Sequence, residues 1–569
     1  MSVLVTLLLC LGLISAAPAQ NLETLQAKPL VDQIRVKAKP VKSGNSFKVP
    51  MITWGGDVAT IHADQQKLFK KNNLNAEIFV ENNFAKQVEA CLKGETPYLR
   101  GTMGMINAAA EVFQKNGVDL VVVYQMTWSN GGDAMVVRKN VRKPQRLKGK
   151  TVALQLYGPH MDYAFNILKT AGVPLSSVTF KWFSELTLPT FDTDGKIIDP
   201  VNAFLEDDSI DAAMAIIPDA MNLTSGGRGG TGSAGSVKGA KIMVSTKTAS
   251  RVIADVYAVR ADYFKNNRAE VERFVNTLLQ AQESLQTLLQ NKASQQARYQ
   301  QLMSRSADLL MGAPQAVPDV EGLLADCEFV GFQGNVAFFT GKGTSRTLAK
   351  LTSEIQSAFK EVGLMKQSVK IEGAGWQYDK LSKGLKFVNA APQPKKKFDT
   401  KKVAAKIESQ ISAEATEWAE DDTLFQVEIN FAPNQSTFSE EQYASDFSKA
   451  LEIAQTYGGS LIVVEGHSDP LGILRAREKG KTPVEVRQME QKAKNLSLER
   501  SKSVRQAFLS FAAHNKMQVD ESQFVSVGLG VVSPKFSPPR TKEEWAANRR
   551  VVFRIKQVEA ELDEFVPLK

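Results

Sequence analysis

The sequence predicts an α/β protein with mainly parallel sheets, followed by a smaller α+β domain, and three observations support this fold class. Strand-like apolar runs alternate with amphipathic helix-like runs from residue 49 onward, an order that favours parallel sheets. The composition changes at the sequence AAPQPKKK of residues 390–397, which is typical of a linker between domains. A second series of elements, βαβαββ-like in order, begins near residue 423. A chain of 569 residues is also too long for one ordinary domain.

Each element of the larger part follows from a local pattern. Short runs rich in β-branched and aromatic residues predict strands at residues 50–54, 76–80, 120–124, 151–156, 178–182, 212–217 and 254–260. Apolar residues at helical spacing predict helices at residues 62–71, 84–93, 106–114, 161–171, 201–205, 268–291 and 348–362. The Gly- and Ser-rich residues 225–239 neither follow a strand nor open a helix, so they predict a surface loop rather than a phosphate-binding loop.

The smaller part has its own sequence of elements. Strands are predicted at residues 425–431, 461–465, 524–528 and 551–555. Helices are predicted at residues 439–457 and 484–513. The order fits a small sandwich in which helices cover one face of a sheet.

Charge and composition exclude several classes of function. The 70 Lys and Arg against 61 Asp and Glu leave a net charge of +9, a small excess that does not predict a nucleic-acid partner. With only 3 Cys and 4 His, a disulfide scaffold is excluded and a zinc site has too few ligands, so we expect no metal and no cofactor. Cys91 and Cys327 either form a single bridge or, as we favour, remain two separate thiols.

The N-terminus indicates export. The apolar residues 3–14 followed by AAPA at residues 16–19 predict a signal peptide over residues 1–19, with cleavage after Ala19. This run is shorter than the about 20 residues that span a bilayer, and no later run is long and apolar enough to do so. Residues 20–45 are polar and predict a loose leader. We therefore expect a protein of the periplasm or cell envelope.

The predicted strand ends of the larger part carry aromatic, amide, hydroxyl and Gly residues suited to binding a small polar ligand. A structural alternative stays open for each of them, because Trp can pack at a hinge and Asp or His can cap a helix. Asp57 in such a loop would favour a cationic or amine ligand. The candidate ligand-binding residues are Trp54, Gly55, Asp57, Thr102, Trp128, Tyr157, His160 and Asp219.

Residues 46–385 resemble the substrate-binding proteins of ABC importers, in the nitrate, sulfonate, taurine and thiamine-precursor group. The resemblance rests on WGG (54–56), LKGKTVA (147–153), GP (158–159), DAA (211–213) and ADVYAV (254–259). It implies a two-lobed type 2 periplasmic-binding-protein fold that closes on a small polar solute and is read by a permease. The second lobe is expected at about residues 136–255, with chain crossings near residues 133–137 and 254–259.

Residues 423–557 resemble OmpA-like peptidoglycan-binding domains through GHSDPLG (466–472), LSLER (496–500), GLG (528–530) and NRRVVF (548–553). The resemblance implies that Asp469 pairs the ammonium of diaminopimelate and that Arg500 grips its carboxylate. Ser468 replaces the family's Thr and keeps the hydroxyl. Asn548 and Arg550 are expected to tie the last strand to the site loop, and Arg549 either reaches the ligand or faces solvent.

Two departures from the OmpA-like pattern affect this second expectation. Asp469 and Arg500 are 31 positions apart (500 − 469), about twice the spacing usual in the family, with an extra charged segment at residues 474–492. Ala493 stands where the family has Asn, which removes one expected hydrogen bond. The alternative is that Asp469 and Arg500 only pair with each other.

These patterns together predict an exported, non-enzymatic solute-binding protein that is attached to peptidoglycan. Residues 386–422 are then a linker and residues 558–569 a tail. One alternative is an envelope structural or sensor protein whose lobes bind another protein. A second alternative is a thiamine-precursor enzyme on the same fold, which the secretion signal and the position of Cys91 in a predicted helix oppose.

Overall fold

The computed structural model describes residues 21–42, 46–187, 194–227, 229–389, 397–398, 423–431, 441–556 and 565–566. The predicted signal peptide lies outside these residues, as do most of the predicted linker and tail. No helix of the described ranges has both the length and the apolar character that crossing a bilayer requires.

The first nine helices and strands of the described residues build most of a first lobe. Thr102 and Asn83 are the N-caps of two of its helices, because each side chain accepts a hydrogen bond from the third backbone N–H that follows. The elements are α1 (Leu30–Gln33), β1 (Phe47–Met51), α2 (Asp57–Gln65), α3 (Leu68–Lys71), β2 (Ala76–Val80), α4 (Phe84–Leu92), β3 (Tyr98–Thr102), α5 (Met103–Lys115) and β4 (Leu120–Ser129).

The chain then crosses into a second lobe. Its elements are β5 (Asp133–Val137), β6 (Thr151–Gln155), α6 (Met161–Thr170), β7 (Thr179–Phe183), α7 (Pro200–Glu206), β8 (Ala212–Ile216), α8 (Ile217–Leu223) and β9 (Lys241–Ser245). Their five strands form one sheet in the order β7-β6-β8-β5-β9. β6 is parallel to β7 and β8, whereas β5 is antiparallel to β8 and β9.

The chain returns to the first lobe after β9. The returning elements are β10 (Ala254–Arg260), α9 (Ala261–Asn266), α10 (Arg268–Gln290), α11 (Gln296–Met311), α12 (Val317–Ala325), β11 (Cys327–Phe329), α13 (Gly331–Thr340), α14 (Leu348–Glu361), β12 (Glu372–Gly373) and α15 (Tyr378–Leu381). The first-lobe sheet has the order β11-β4-β10-β3, with β12 also on β4 and a separate parallel pair β1-β2.

The sheets are mixed rather than mainly parallel, which corrects the sequence-based expectation. β10 is antiparallel to both β3 and β4 because it enters the sheet from the second lobe. The crossings themselves are the segments 130–132 and 246–253, which we call the hinge segments. The second-lobe sheet therefore runs from Asp133 to Ser245, and Ala254–Arg260 belongs to the first-lobe sheet.

The remaining described residues form a C-terminal module over residues 423–556. Its elements, preceded by the short β13 (Lys397–Phe398), are β14 (Thr423–Asn430), α16 (Ala444–Thr456), β15 (Leu461–Gly466), α17 (Leu471–Glu478), α18 (Pro483–His514), β16 (Phe524–Gly528), α19 (Lys542–Asn548) and β17 (Arg550–Lys556). A last short strand, β18 (Phe565–Val566), pairs with β13. The module's sheet has the order β14-β17-β15-β16, in which only β15 and β16 are parallel.

The segment between Asp469 and Arg500 is helical. It comprises all of α17 and the first turns of α18, which begins at a capping box between Thr482 and Glu485. Arg477 of α17 pairs with Glu490 of α18 at 2.6 Å. The extra residues therefore form a helical hairpin beside the sheet.

The leader is not loose, contrary to the sequence-based expectation. The Leu25 N–H donates to the Trp182 carbonyl of the second lobe at 2.8 Å, while Leu30 and Val31 are buried and α1 packs on α5 of the first lobe. Residues 21–42 therefore cross both lobes. A polar composition did not reveal this, because only a few apolar side chains anchor the segment.

The C-terminal module packs against both lobes and one hinge segment. The Arg251 N–H donates to the Thr456 carbonyl at 3.1 Å, and the Gly459 N–H donates to the Thr248 carbonyl at 3.2 Å. Tyr457 Oη donates to Asn166 Oδ1 of α6 at 3.1 Å. A Cβ at Gly459 would lie 1.6 Å from the Lys247 carbonyl oxygen, so only Gly allows this approach.

Candidate functional site

A buried ion cluster joins three elements of the first lobe. Arg100, near the end of β3, donates to both carboxylate oxygens of Asp57 at 2.8–3.2 Å and to Asp255 of β10 at 2.8 Å. All three residues are almost fully buried. Burial raises the pKa of Asp57 to about 7, although Arg100 lowers it. The carboxylate predicted to face a cationic ligand thus has a protein cation as its partner, and contact with a ligand stays a prediction.

Trp54 and Gly55 lie where the first lobe meets the hinge. The Trp54 indole N–H donates to Thr127 Oγ1 at 3.2 Å, and a Cβ at Gly132 of the hinge would lie 2.6 Å from the indole ring. A Cβ at Gly55 would lie 2.1 Å from the Leu323 carbonyl oxygen. Both residues therefore make close packing contacts in this arrangement.

A second buried polar network links the hinge segments to the second lobe. His160 Nε2 lies 2.8 Å from Asp133 Oδ1, and Ser129 Oγ donates to Asp133 Oδ2 at 2.5 Å. Ser129 Oγ also lies 2.9 Å from Thr246 Oγ1. His160 Nδ1 is buried and has no hydrogen-bond partner among the described residues. His160 thus lies at the hinge, beside the chain crossing.

The other candidate residues of the lobes lie near helix ends, in a strand or in contact with the leader. Thr102 caps α5, and Asp219 lies buried in the first turn of α8. Trp128 is in β4 rather than a loop, because β4 runs to Ser129; its ring packs at a centroid distance of 6.2 Å from that of Phe338. Tyr157 accepts a hydrogen bond from Gln33 Nε2 of the leader at 2.6 Å and donates one to the Lys28 carbonyl.

Asp162 is a buried acid that sequence reasoning missed. It lies in the first turn of α6, it is 5% exposed, and neither carboxylate oxygen accepts a hydrogen bond from another described residue. A Cβ at Gly104, near the start of α5, would lie 2.4 Å from Asp162 Oδ1, so the two lobes touch here. Burial raises the pKa of Asp162 to about 7. Its position two residues after His160 was the available signal.

A cavity of about 420 Å³ adjoins Asp162. Its wall comes from α6 of the second lobe, from α14 and Arg346 beside it, from Val252 of the hinge and from α16 of the C-terminal module. The cavity therefore lies where both lobes and the module meet.

The C-terminal module brings Asp469 and two arginines together at the end of β15. Asp469 Oδ1 accepts a hydrogen bond from the Leu471 N–H at 3.0 Å, and Asp469 Oδ2 lies 3.7 Å from Arg549 Nη1. Burial and then the neighbouring charge of Arg549 lower the pKa of Arg500. Arg549 is thus a neighbour of both residues of the predicted clamp.

The other predicted residues of the module organise the loops around this charged cluster. Ser468 Oγ donates to the Ala493 carbonyl at 3.1 Å. Asn548 makes two hydrogen bonds to the backbone of Phe536, and Arg550 donates to the Ser533 carbonyl at 3.0 Å. These contacts tie the last helix and strand to the loop after β16.

Close helix packing beside the charged cluster depends on two glycines. A Cβ at Gly466 would lie 1.9 Å from the Ser497 carbonyl oxygen, and one at Gly528 would lie 2.6 Å from that of Lys494. α18 therefore lies directly over the ends of β15 and β16. This packing brings Arg500, which is on α18, to the strand end that carries Asp469.

The two cysteines do not pair with each other. Cys91 is buried in α4, and Cys327 is at the start of β11 with its thiol donating to the Leu323 carbonyl at 3.2 Å. The preferred sequence-based interpretation of two separate thiols is confirmed. Burial raises the pKa of both thiols.

Comparison with known proteins identifies one family similarity. Residues 58–287 match the family model described as NMT1/THI5 like, which is less than half of the chain. No curated protein matches the chain.

Three solved structures illustrate the structural similarities. The periplasmic aliphatic sulphonate binding protein of Escherichia coli is 16% identical, with a TM-score of 0.38 over 58% of this chain and 91% of that one. The periplasmic sulfonate-binding protein of Methylobacillus flagellatus KT is 14% identical, with a TM-score of 0.41 over 63% and 99%. The periplasmic nitrate-binding protein of Synechocystis PCC 6803 is 10% identical, with a TM-score of 0.37 over 61% and 92%.

Proposed function

We propose that the chain is an exported solute-binding protein whose C-terminal module attaches it to peptidoglycan. The lobes would bind a small polar solute and present it to a permease, without catalysis. The solute-binding part of the proposal is supported by the family similarity of residues 58–287, together with two lobes connected by two hinge segments. Peptidoglycan attachment would keep the receptor concentrated near the cell wall.

The charged cluster of Asp469, Arg549 and Arg500 is the observation that carries the attachment half of the proposal. Arg549 Nη1 lies 3.7 Å from Asp469, and the pKa of Arg500 is lowered by burial and then by the charge of Arg549. An acid beside two guanidinium groups suits a zwitterion, because the acid pairs an ammonium while a guanidinium grips a carboxylate. Diaminopimelate in a peptidoglycan stem offers both groups on one side chain.

Sedimentation with peptidoglycan tests this attachment. We expect Asp469→Ala and Arg500→Ala in the full chain to lower the affinity for diaminopimelate-containing peptidoglycan by at least about tenfold. Lys502→Ala is the matched control, since Lys502 is exposed on the same helix and pairs only with Glu499 among the ion pairs of the described residues. Unchanged binding of both clamp variants would exclude the clamp.

Native mass spectrometry of the full chain tests the solute half. We expect a bound small molecule that is lost on denaturation, and saturable thermal stabilisation when it is added back. A chain that carries no small molecule and gains no stability from cell-extract metabolites would contradict solute binding.

A second candidate function, a sensor or structural protein that binds another protein, is favoured by the bridges between the lobes. Besides the leader, α14 spans them: Gln356 Nε2 donates to Asn107 Oδ1 of α5 at 2.8 Å, and Glu361 pairs with Lys169 of α6 at 3.2 Å. Such contacts oppose a wide opening of the two lobes. A cross-linking screen that finds one stoichiometric protein partner and no solute would favour this alternative.

A further inference from the structure

The cavity between α6, α14 and α16 has an amphipathic wall. Phe165, Val252, Leu351 and Ile355 supply apolar surface, and Asp162 is the acid at its second-lobe side. A volume of about 420 Å³ suits a small organic molecule.

Most of the other charged side chains around the cavity have ion-pair partners, and the remaining one, Lys449, lies at an exposed position of α16. Arg346 pairs with Glu354 at 2.9 Å, and Lys350 pairs with Glu452 at 3.2 Å and with Glu354 at 3.4 Å. Lys169 pairs with Glu361 at 3.2 Å. These pairs neutralise one another locally, whereas the buried carboxylate of Asp162 accepts no hydrogen bond from another described residue.

Among the described residues, no cation forms an ion pair or a hydrogen bond with the Asp162 carboxylate. Arg100, the buried guanidinium of the first lobe, is already paired with Asp57 and Asp255. The charges that act on Asp162 are Arg346, which lowers its pKa, and Asp133 and Asp255, which raise it. A buried acid in this environment gains most from a ligand that brings a positive charge.

We propose that this cavity binds a small amphipathic cation, an organic ammonium or amidinium, whose positive group pairs with Asp162 while its apolar part contacts Phe165 and Leu351. The inference rests on the proposed solute-binding role of the lobes and names the chemical class of the solute. It differs from the sequence-based expectation in assigning the acid to Asp162 instead of Asp57. It also places the ligand beside the C-terminal module, so that the ligand would contact all three parts of the molecule.

Calorimetric titration of the full chain with two probes of similar shape and opposite charge tests the proposal. At pH 8 we expect saturable binding of 2-phenylethylammonium, at least about tenfold tighter than binding of 3-phenylpropionate. Asp162→Asn should lower the affinity for the cation by at least about tenfold, because the amide keeps the shape and removes the charge. Affinity for the cation should also fall between pH 8 and pH 5, as Asp162 becomes protonated.

Asp208→Asn is the matched control, since the Asp208 side chain is 99% exposed in the same lobe. It should bind the cation as the unmodified chain does. The proposal is overturned if the cation does not bind, if the anion binds equally well, or if Asp162→Asn keeps full affinity. A neutral or anionic solute found by native mass spectrometry would overturn this proposal while leaving solute binding itself in place.

Discussion

The charged residues buried inside the first lobe and those at the end of β15 differ in what surrounds them. Within the first lobe, Asp57, Arg100 and Asp255 are almost fully buried and satisfy one another. In the C-terminal module, the side chains of Asp469 and Arg549 keep 17% and 13% exposure, and 3.7 Å separates their charged atoms. The first group has partners inside the fold, whereas the second still has an accessible acid and a loose ion pair.

This difference shows why residue type alone does not identify a binding site. A buried charge requires a partner, because removal from water costs far more than an exposed pair gains. An Asp in the interior is therefore as readily explained by an internal Arg as by a ligand. Asp162 departs from this rule, since it is buried and lacks a hydrogen-bond partner among the described residues.

The largest expected effect comes from breaking the internal cluster. Arg100→Leu leaves Asp57 and Asp255 buried without their cation, which should lower the free energy of unfolding of the lobes by about 3–5 kcal/mol. Urea unfolding followed by Trp fluorescence measures the change. Arg298→Leu, at an exposed position of α11, is the control and should change stability by less than about 0.5 kcal/mol. A loss below 1 kcal/mol at Arg100 would mean that the cluster does not support the fold.

Asp162→Asn should raise the free energy of unfolding, and it should do so only above acidic pH. The pKa of Asp162 is raised to about 7, so its protonated form is favoured in the folded chain. The stability that protonated Asp162 contributes to the folded chain is complete below about pH 4 and is lost as the pH rises through about 7. Without ligand, the variant should therefore be more stable than the unmodified chain at pH 8, by on the order of 3 kcal/mol.

Urea titrations at pH 4 and pH 8 measure this difference. The two chains should unfold at similar urea concentrations at pH 4 and diverge at pH 8. A variant that is less stable than the unmodified chain at pH 8 would show that Asp162 has a stabilising partner, and it would remove the contrast with Asp57.

The smallest stability effect is expected at the charged cluster of the module. Arg549→Ala removes a partly exposed pair and should lower the free energy of unfolding by about 1 kcal/mol. Its effect on peptidoglycan binding should be larger, about tenfold, if Arg549 contacts the ligand. Parallel measurements of stability and sedimentation separate these effects. A large loss of stability with unchanged binding would make Arg549 a structural residue like Arg100.

Local patterns predicted most of the regular elements well. The strands Ala76–Val80, Ala254–Arg260 and Phe524–Gly528 begin and end where the sequence predicts them. The β4 strand extends to Ser129, beyond the predicted 120–124, because the Gln125 backbone N–H donates to Asn335 Oδ1 and Thr127 Oγ1 donates to Asp255 Oδ2 inside the fold. The helices between Gln296 and Thr340 were not predicted, although the buried residues of α11, such as Tyr299, Leu302 and Met303, recur at helical spacing.

The sequence predicted the residues of the candidate sites less completely than it predicted the strands and helices. The side chains of Asn548 and Arg550 bind the loop after β16, whereas the sequence predicted that they bind the loop of Asp469. The proximity of Asp469 and Arg549 could be anticipated, because their motifs occupy a strand end and the start of the last strand. The roles of Arg100 and Asp162 could not. Each depends on which side chains face it from distant parts of the chain, and no local spacing encodes that.

By itself, the sequence determined the alternating strands and helices, the boundary of the C-terminal module and the residue types available at each strand end, because these follow from local periodicity and composition. Tertiary structure alone decided that Asp57 meets Arg100, that the Asp162 carboxylate has no hydrogen-bond partner from another described residue and that the leader crosses both lobes. The physical reason is that burial and charge pairing arise from contacts between residues that are far apart in the chain. Such contacts determine whether an acid supports the fold or is left to bind a ligand.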